Sequence, residues 1–167
     1  MKMKTRYLLL IIISAIFSGN SFAEDIEMIS GWGISKQKDL MTDNLNVIVG
    51  LQSEPYNEAG SMAAIAVRCF NNKTELLIHA DGYYRRPTST VMMRFDSEKA
   101  TSAPWSVSEG GKALFSRSPI DTAKKITEHN SLIIRFQPYG KGHIDAKFNL
   151  DGADLAIDEV RKACSWP

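Results

Sequence analysis

Two cysteines set the strongest constraint on how this chain can fold. Cys69 and Cys164 are the only cysteines, and they lie 95 positions apart in the sequence. An isolated pair in an oxidising compartment forms one disulfide, whereas a redox-active pair needs close spacing such as C-x-x-C, which is absent. We therefore predict a structural disulfide between Cys69 and Cys164 that closes one long loop of chain.

The N-terminal segment indicates that the compartment is oxidising. A basic head precedes an apolar run over residues 7–17, and the small residues Ser21 and Ala23 follow. This order is typical of a secretory signal peptide cleaved after Ala23, and the run is shorter than the roughly 20 apolar residues of a membrane span. We predict a signal peptide over residues 1–23, a single secreted domain over 24–167, and no integral membrane span after cleavage. The protein is expected to be bacterial and periplasmic or secreted.

The predicted mature domain carries little net charge. Without the three basic residues of the signal peptide, 17 lysine and arginine residues stand against 19 acidic ones. Domains that bind nucleic acid or anionic membranes are usually strongly basic. Nucleic acid is therefore not an expected partner.

Short alternating segments predict a β-rich domain with two helices. In the clearest strand, over residues 62–70, Ala63, Ile65, Val67 and Cys69 share one face. A helix is expected from Ser118 to about Glu128. A second helix, capped by Asp151, carries its apolar stripe on Ala153, Ala156, Ile157, Val160, Ala163 and Cys164. The predicted fold class is α+β: a mostly antiparallel β-sheet of about seven strands, with the C-terminal helix packed on it and one disulfide.

No catalytic or metal-binding pattern stands out. His79, His129 and His143 are widely spaced and the cysteines are expected to pair, so we predict no metal site and no cofactor. The nucleophile motif Gly-x-Ser-x-Gly is absent. A hydrolase could still use a pair of carboxylates brought together by the fold, such as Asp96 with Asp145. We predict no catalytic residues and a protein that is not an enzyme.

Two groups of residues are candidates for partner binding. Arg68, Arg94 and Arg135 lie in predicted strands next to core residues, so alternation places all three on the outer face. If their strands are neighbours, they form a row of guanidinium groups suited to carboxylate or phosphate. Salt bridges to acidic neighbours are the alternative. The second group is a loop rich in tyrosine and arginine, the residue types common at binding hot spots: Tyr83, Tyr84, Arg85 and Arg86. Ordinary packing of a tyrosine beside an exposed basic rim is the alternative for this loop.

Short motifs along the chain resemble a known family. The strongest are the strand and turn Arg68–Glu75, which reads Arg-Cys-x-Asn-Asn-Lys-Thr-Glu, and the terminal Ala-Cys-x-Trp of residues 163–166. Their order resembles the VasI family, also called TagO, of secreted accessory proteins associated with bacterial type VI secretion. Related domains also look prophage-borne. The resemblance supplies no catalytic residues and implies a periplasmic accessory protein in which the two cysteines and the strand arginines are shared features.

These observations leave two functional hypotheses. The first is a non-enzymatic periplasmic accessory or binding protein that contacts another protein or a cell-envelope component. The second is a secreted inhibitor or immunity-type protein that acts on an envelope enzyme. A disulfide-bonded β-rich domain suits both.

Overall fold

A computed structural model describes residues 26–80 and 82–166, so the predicted signal peptide and its cleavage site lie outside the described residues. The described chain forms ten strands and two helices. They are β1 (Glu27–Ile29), β2 (Trp32–Lys38), β3 (Leu45–Gln52), β4 (Ala64–Phe70), β5 (Lys73–His79), β6 (Thr88–Phe95), β7 (Thr101–Val107), β8 (Ala113–Phe115), α1 (Pro119–Thr127), β9 (Ser131–Phe136), β10 (Ile144–Asn149) and α2 (Ala153–Ala163).

All ten strands pair antiparallel in one sheet, in the order β1-β2-β3-β4-β5-β8-β7-β6-β9-β10. The sheet curls so that its last strand approaches the end of β3: the Glu54 amide, just after β3, donates to the Lys147 carbonyl of β10 at 2.8 Å. The α+β prediction is confirmed, although the described sheet has ten strands where about seven were predicted. The hairpin β1–β2 was not predicted, because Lys36, Gln37 and Lys38 end β2 without apolar alternation.

One continuous core lies inside the curled sheet, and period-2 alternation fills it. The predicted inward set of the β4 region is buried, with Ala63, Ile65, Val67 and Cys69 at most 1% exposed. The neighbouring strands form the hairpins β4–β5 and β7–β8, with Arg68 opposite Glu75 and Val107 opposite Leu114. The outward positions of these strands form the outer surface of the sheet.

Helix α2 packs on β2, β3 and β4 and is held there by the disulfide. Cys69 and Cys164 are bonded, with their Cα atoms 5.5 Å apart, as predicted. The predicted stripe faces the core, where Ala153, Ala156, Ile157 and Val160 are buried. Lys36 of β2 pairs with Glu159 on the same helix. The disulfide thus joins the centre of the sheet to the last turn of the chain.

The predicted cap of α2 is wrong by one residue. The N-cap is Gly152, at φ 74°, and the Asp151 side chain does not cap the helix. A Cβ on Gly152 would lie 2.7 Å from the Cβ of Ser30, so the chain needs glycine where it enters the helix. The Asp151 carbonyl instead accepts a hydrogen bond from the Trp32 indole at 3.2 Å.

His129 follows α1 and links that helix to the end of β6. Its Nδ1 lies 2.8 Å from the Lys125 carbonyl and its Nε2 lies 3.2 Å from a Glu98 oxygen, while its ring packs on Phe95. The hydrogen bond to Lys125, followed by those to Glu98, raises the pKa of His129 above 6.5. In turn, hydrogen bonds from Lys125 and His129 lower the pKa of Glu98.

The His129 contacts should make stability fall as the solution becomes alkaline. Because the folded state raises the pKa of His129, its stabilising contribution is fully present below about pH 6.5 and is lost as pH rises through the folded-state pKa. In urea titrations, the stability difference between the native protein and His129→Gln should shrink as pH rises from about 6.5 through the folded-state pKa of His129. The control His79→Gln removes an exposed histidine on β5. A pH-independent difference for His129→Gln would contradict this assignment.

Candidate functional site

The predicted row of three arginines does not form. Strands β5, β8 and β7 separate β4, which carries Arg68, from β6, which carries Arg94. Arg94 and Arg135 do lie on neighbouring strands, with Arg94 opposite Ile133, two residues from Arg135. The prediction of outward-facing side chains was sound, but the strand order places Arg68 on another part of the sheet.

Acidic neighbours already hold two of these arginines. Arg68 pairs with Glu75 across β4–β5, with Nε 2.8 Å from the carboxylate. Arg135 makes two hydrogen bonds of 2.6 Å to Asp145 across β9–β10. This contact lowers the pKa of Asp145 and raises that of Arg135. Arg94 is exposed and has no ion pair in residues 26–80 and 82–166. The salt-bridge alternative therefore describes Arg68 and Arg135.

The carboxylates considered for catalysis also have structural roles. The Asp96 carboxylate accepts hydrogen bonds from the backbone amides of Asn130 and Ser131, at the start of β9. Burial alone would raise the pKa of Asp96, but these hydrogen bonds outweigh it and lower the pKa. Asp145 of β10 pairs with Arg135, which lies on β9 four residues after Ser131. No group of three or more potential metal ligands occurs among the residues that the structure describes.

Three segments meet at the loop that the sequence singled out. The Tyr84 amide donates to the Gly111 carbonyl of the β7–β8 turn at 2.8 Å. The Tyr139 amide, in the β9–β10 turn, donates to the Tyr83 carbonyl at 2.7 Å. The loop backbone is thereby fixed on both sides, which lowers the entropic cost of binding a partner.

The two tyrosines of this loop have different positions. Tyr83 is 52% exposed, whereas Tyr84 is 1% exposed and packs edge-on against Phe136. Burial raises the pKa of Tyr84, whose hydroxyl has no hydrogen-bond partner among the described residues. The expectation that Tyr84 contacts a partner from the surface is therefore corrected: its ring anchors the loop in the core.

Glycine makes room for the exposed tyrosine. Gly111 has φ +70°, and a Cβ there would lie 2.2 Å from the ring of Tyr83. Any other residue would both strain the turn and displace the Tyr83 ring. The β7–β8 turn thus determines where Tyr83 stands on the surface.

Both arginines of the loop are held by neutral acceptors. Arg85 stacks on the exposed ring of Tyr139, 4.2 Å from its centroid, and donates to the Tyr139 hydroxyl at 2.9 Å. Arg86 donates to the backbone carbonyl of Glu109 at 3.2 Å. Within the described chain neither guanidinium has an ion pair, so no carboxylate there offsets their positive charges. We call the group Tyr83, Arg85, Arg86 and Tyr139 the Tyr–Arg surface.

Sequence reasoning missed Tyr139 as a member of this surface. In the sequence, Tyr139 is only one residue of the predicted turn Pro138–Gly142 between two strands. Its proximity to Arg85 depends on the tertiary structure, because the two residues are 54 positions apart. An open cleft of about 330 Å³ lies beside the pair, lined by Arg85, Thr88, Ser89, Thr90, Gln137, Pro138, Tyr139 and Gly140.

Taken together, fold and surface define a disulfide-bonded α+β domain in which a curled antiparallel sheet displays a rigid tyrosine–arginine loop. A family model described as "Type VI secretion system VasI, EvfG, VC_A0118" matches residues 34–166. The chain therefore belongs to the VasI family of type VI secretion proteins.

A solved structure shares the fold. The crystal structure of invasion associated protein B from Bartonella henselae superposes with a TM-score of 0.59 at 11% sequence identity, covering 82% of this chain and 95% of that one. At this identity the likeness concerns the fold alone. No curated protein matches the chain in a sequence search. None of the described helices is both long and apolar enough to cross a bilayer.

Proposed function

We propose that this protein is a non-enzymatic accessory protein of a type VI secretion system, acting in the periplasm by binding another envelope protein through the Tyr–Arg surface. Membership of the VasI family supports the secretion context. The disulfide between Cys69 and Cys164 is compatible with an extracytoplasmic location. A predicted signal peptide over residues 1–23 adds to this argument.

The observation that carries the proposal is the uncompensated charge of Arg85 and Arg86. Elsewhere on the sheet, Arg68 and Arg135 face carboxylates at hydrogen-bonding distance and are largely neutralised. Arg85 and Arg86 instead contact a hydroxyl and a carbonyl, which position the guanidinium groups without cancelling their charge. Arginines held this way, beside exposed tyrosines, favour charge-assisted contacts with a partner.

Removing the two charges should disable the protein without unfolding it. We expect the double variant Arg85→Gln/Arg86→Gln to reduce the release of a type VI-secreted protein by about tenfold or more, since each charge-assisted hydrogen bond contributes roughly 1.5–3 kcal/mol. Secretion would be measured in a strain that lacks the native gene and expresses each variant at equal abundance.

The matched control removes two exposed positive charges elsewhere. Lys99→Gln/Arg117→Gln changes side chains without ion pairs in the described part of the chain, and secretion should remain at the native level. Full secretion by Arg85→Gln/Arg86→Gln would contradict the proposal. The proposal would also be contradicted if the protein were found to bind and inhibit an envelope enzyme, because that result would assign the protein to the inhibitor class.

A further inference from the structure

Strand β6 has a free edge beside the Tyr–Arg surface. It pairs with β7 from Thr88 to Met93, but its pairing with β9 begins only at Met92. Since β9 ends at Phe136, opposite Val91, the stretch Thr88–Thr90 has no strand on its β9 side in the described chain. The hydroxyls of Thr88, Ser89 and Thr90 also have no hydrogen-bond partners among the described residues. Exposed strand edges of this kind readily accept a further strand.

The path of the chain after β9 keeps this edge open. Strand β9 ends at Phe136, and the chain then turns through Pro138, which has no amide hydrogen to donate. The next amide, of Tyr139, bonds the Tyr83 carbonyl rather than β6. The cleft of about 330 Å³ fills the resulting space between β6 and the β9–β10 turn. Its open edge of three residues is about 10 Å long, which accommodates a short extended peptide.

The cleft is closed and positively charged at one end. The hydrogen bond from Tyr139 to Tyr83 joins its two walls there, and Arg85 lies over the Tyr139 ring at the same end. None of the residues that line the cleft is acidic. A chain that ends at this point fits better than one that passes through, and a terminal carboxylate complements the guanidinium of Arg85.

We propose that the cleft binds the extended C-terminal segment of a protein partner, which pairs with the free edge of β6 and places its terminal carboxylate on Arg85. This inference rests on the proposed function, since it assigns a chemistry to the partner of the Tyr–Arg surface. The backbone edge supplies affinity that is independent of sequence, as in other cases of strand addition. Arg85 supplies the preference for a free chain end.

NMR titration of the full mature protein tests this proposal. The probe is an equimolar mixture of acetylated pentapeptides with randomised residues and free C-termini. It should shift the amide signals of Thr88–Thr90 and the Arg85 side-chain signal. The same mixture with amidated C-termini should bind about tenfold more weakly or worse, as should Arg85→Gln with the free-acid mixture. Peptides with N-methylated backbones should lose binding, because they cannot pair with β6. Arg117→Gln should bind the free-acid mixture as the native protein does.

Three results would overturn the inference. They are equal binding of amidated and free-acid peptides, shifts confined to residues away from Thr88–Thr90, and shifts at these residues with a disaccharide of N-acetylglucosamine and N-acetylmuramic acid but not with peptides. If peptides fail while Arg85→Gln/Arg86→Gln still abolishes secretion, the proposed function stands and the peptide assignment falls. If both fail, the Tyr–Arg surface itself is wrong.

Discussion

Replacing both cysteines, in Cys69→Ala/Cys164→Ala, should lower the free energy of unfolding by about 4 kcal/mol. The disulfide spans 95 positions, and in the chain-entropy model a loop of this length strongly restricts the unfolded state. Cys164 also caps the end of helix α2, so its loss removes one link between the helix and the sheet. Urea denaturation of native and variant protein would measure the change.

A reductant provides the matched control for this experiment. It should shift the urea midpoint of the native protein toward that of the double variant and leave the midpoint of the double variant unchanged. A loss below about 1 kcal/mol would show that core packing alone fixes α2, against the mechanism described here.

Trp166→Ala should destabilise the protein by about 3–5 kcal/mol, the range for removing a large buried aromatic side chain. Trp166 is 8% exposed, and its indole donates to the Thr74 hydroxyl of β5 at 2.6 Å. It therefore attaches the end of the chain to the sheet two residues after the disulfide. Its contribution would be measured by urea denaturation in the presence of the intact disulfide.

Two further variants separate packing from hydrogen bonding. Thr74→Val keeps the ring but leaves the indole N–H without its acceptor, and should cost about 1–3 kcal/mol. Phe70→Ala removes an aromatic side chain that is 49% exposed, so its effect should stay below about 1 kcal/mol. If Trp166→Ala and Phe70→Ala had equal effects, the terminal tryptophan would have no anchoring role.

The sequence predicted elements in which periodicity and burial agree. The inward set of β4 and the stripe of α2 are clear in the sequence, and Cys69 and Cys164 fall on these two patterns, in agreement with the disulfide predicted from the cysteine count. Strand β2 escaped prediction because its second half is polar and exposed. The N-cap of α2 depends on a close approach to Ser30, which no local pattern encodes.

The candidate site was predictable in composition but not in geometry. Alternation correctly predicted that Arg68, Arg94 and Arg135 face outward. Whether they lie together depends on the strand order, in which the β7–β8 hairpin separates β6 from β5. Within the loop no periodicity distinguishes Tyr83 from Tyr84, so only the fold shows which ring is buried. Tyr139 joins the site through a contact between distant segments.

Photo-cross-linking from the Tyr–Arg surface tests the central claim most directly. A photoreactive phenylalanine analogue would replace either Tyr83 or Phe70, two aromatic residues of similar exposure at 52% and 49%. We predict that the probe at Tyr83 cross-links the exported protein to an envelope protein, that Arg85→Gln/Arg86→Gln removes this product, and that the probe at Phe70 gives none. Cross-linking from Phe70 with none from Tyr83 would contradict the assignment and place the binding surface on β4.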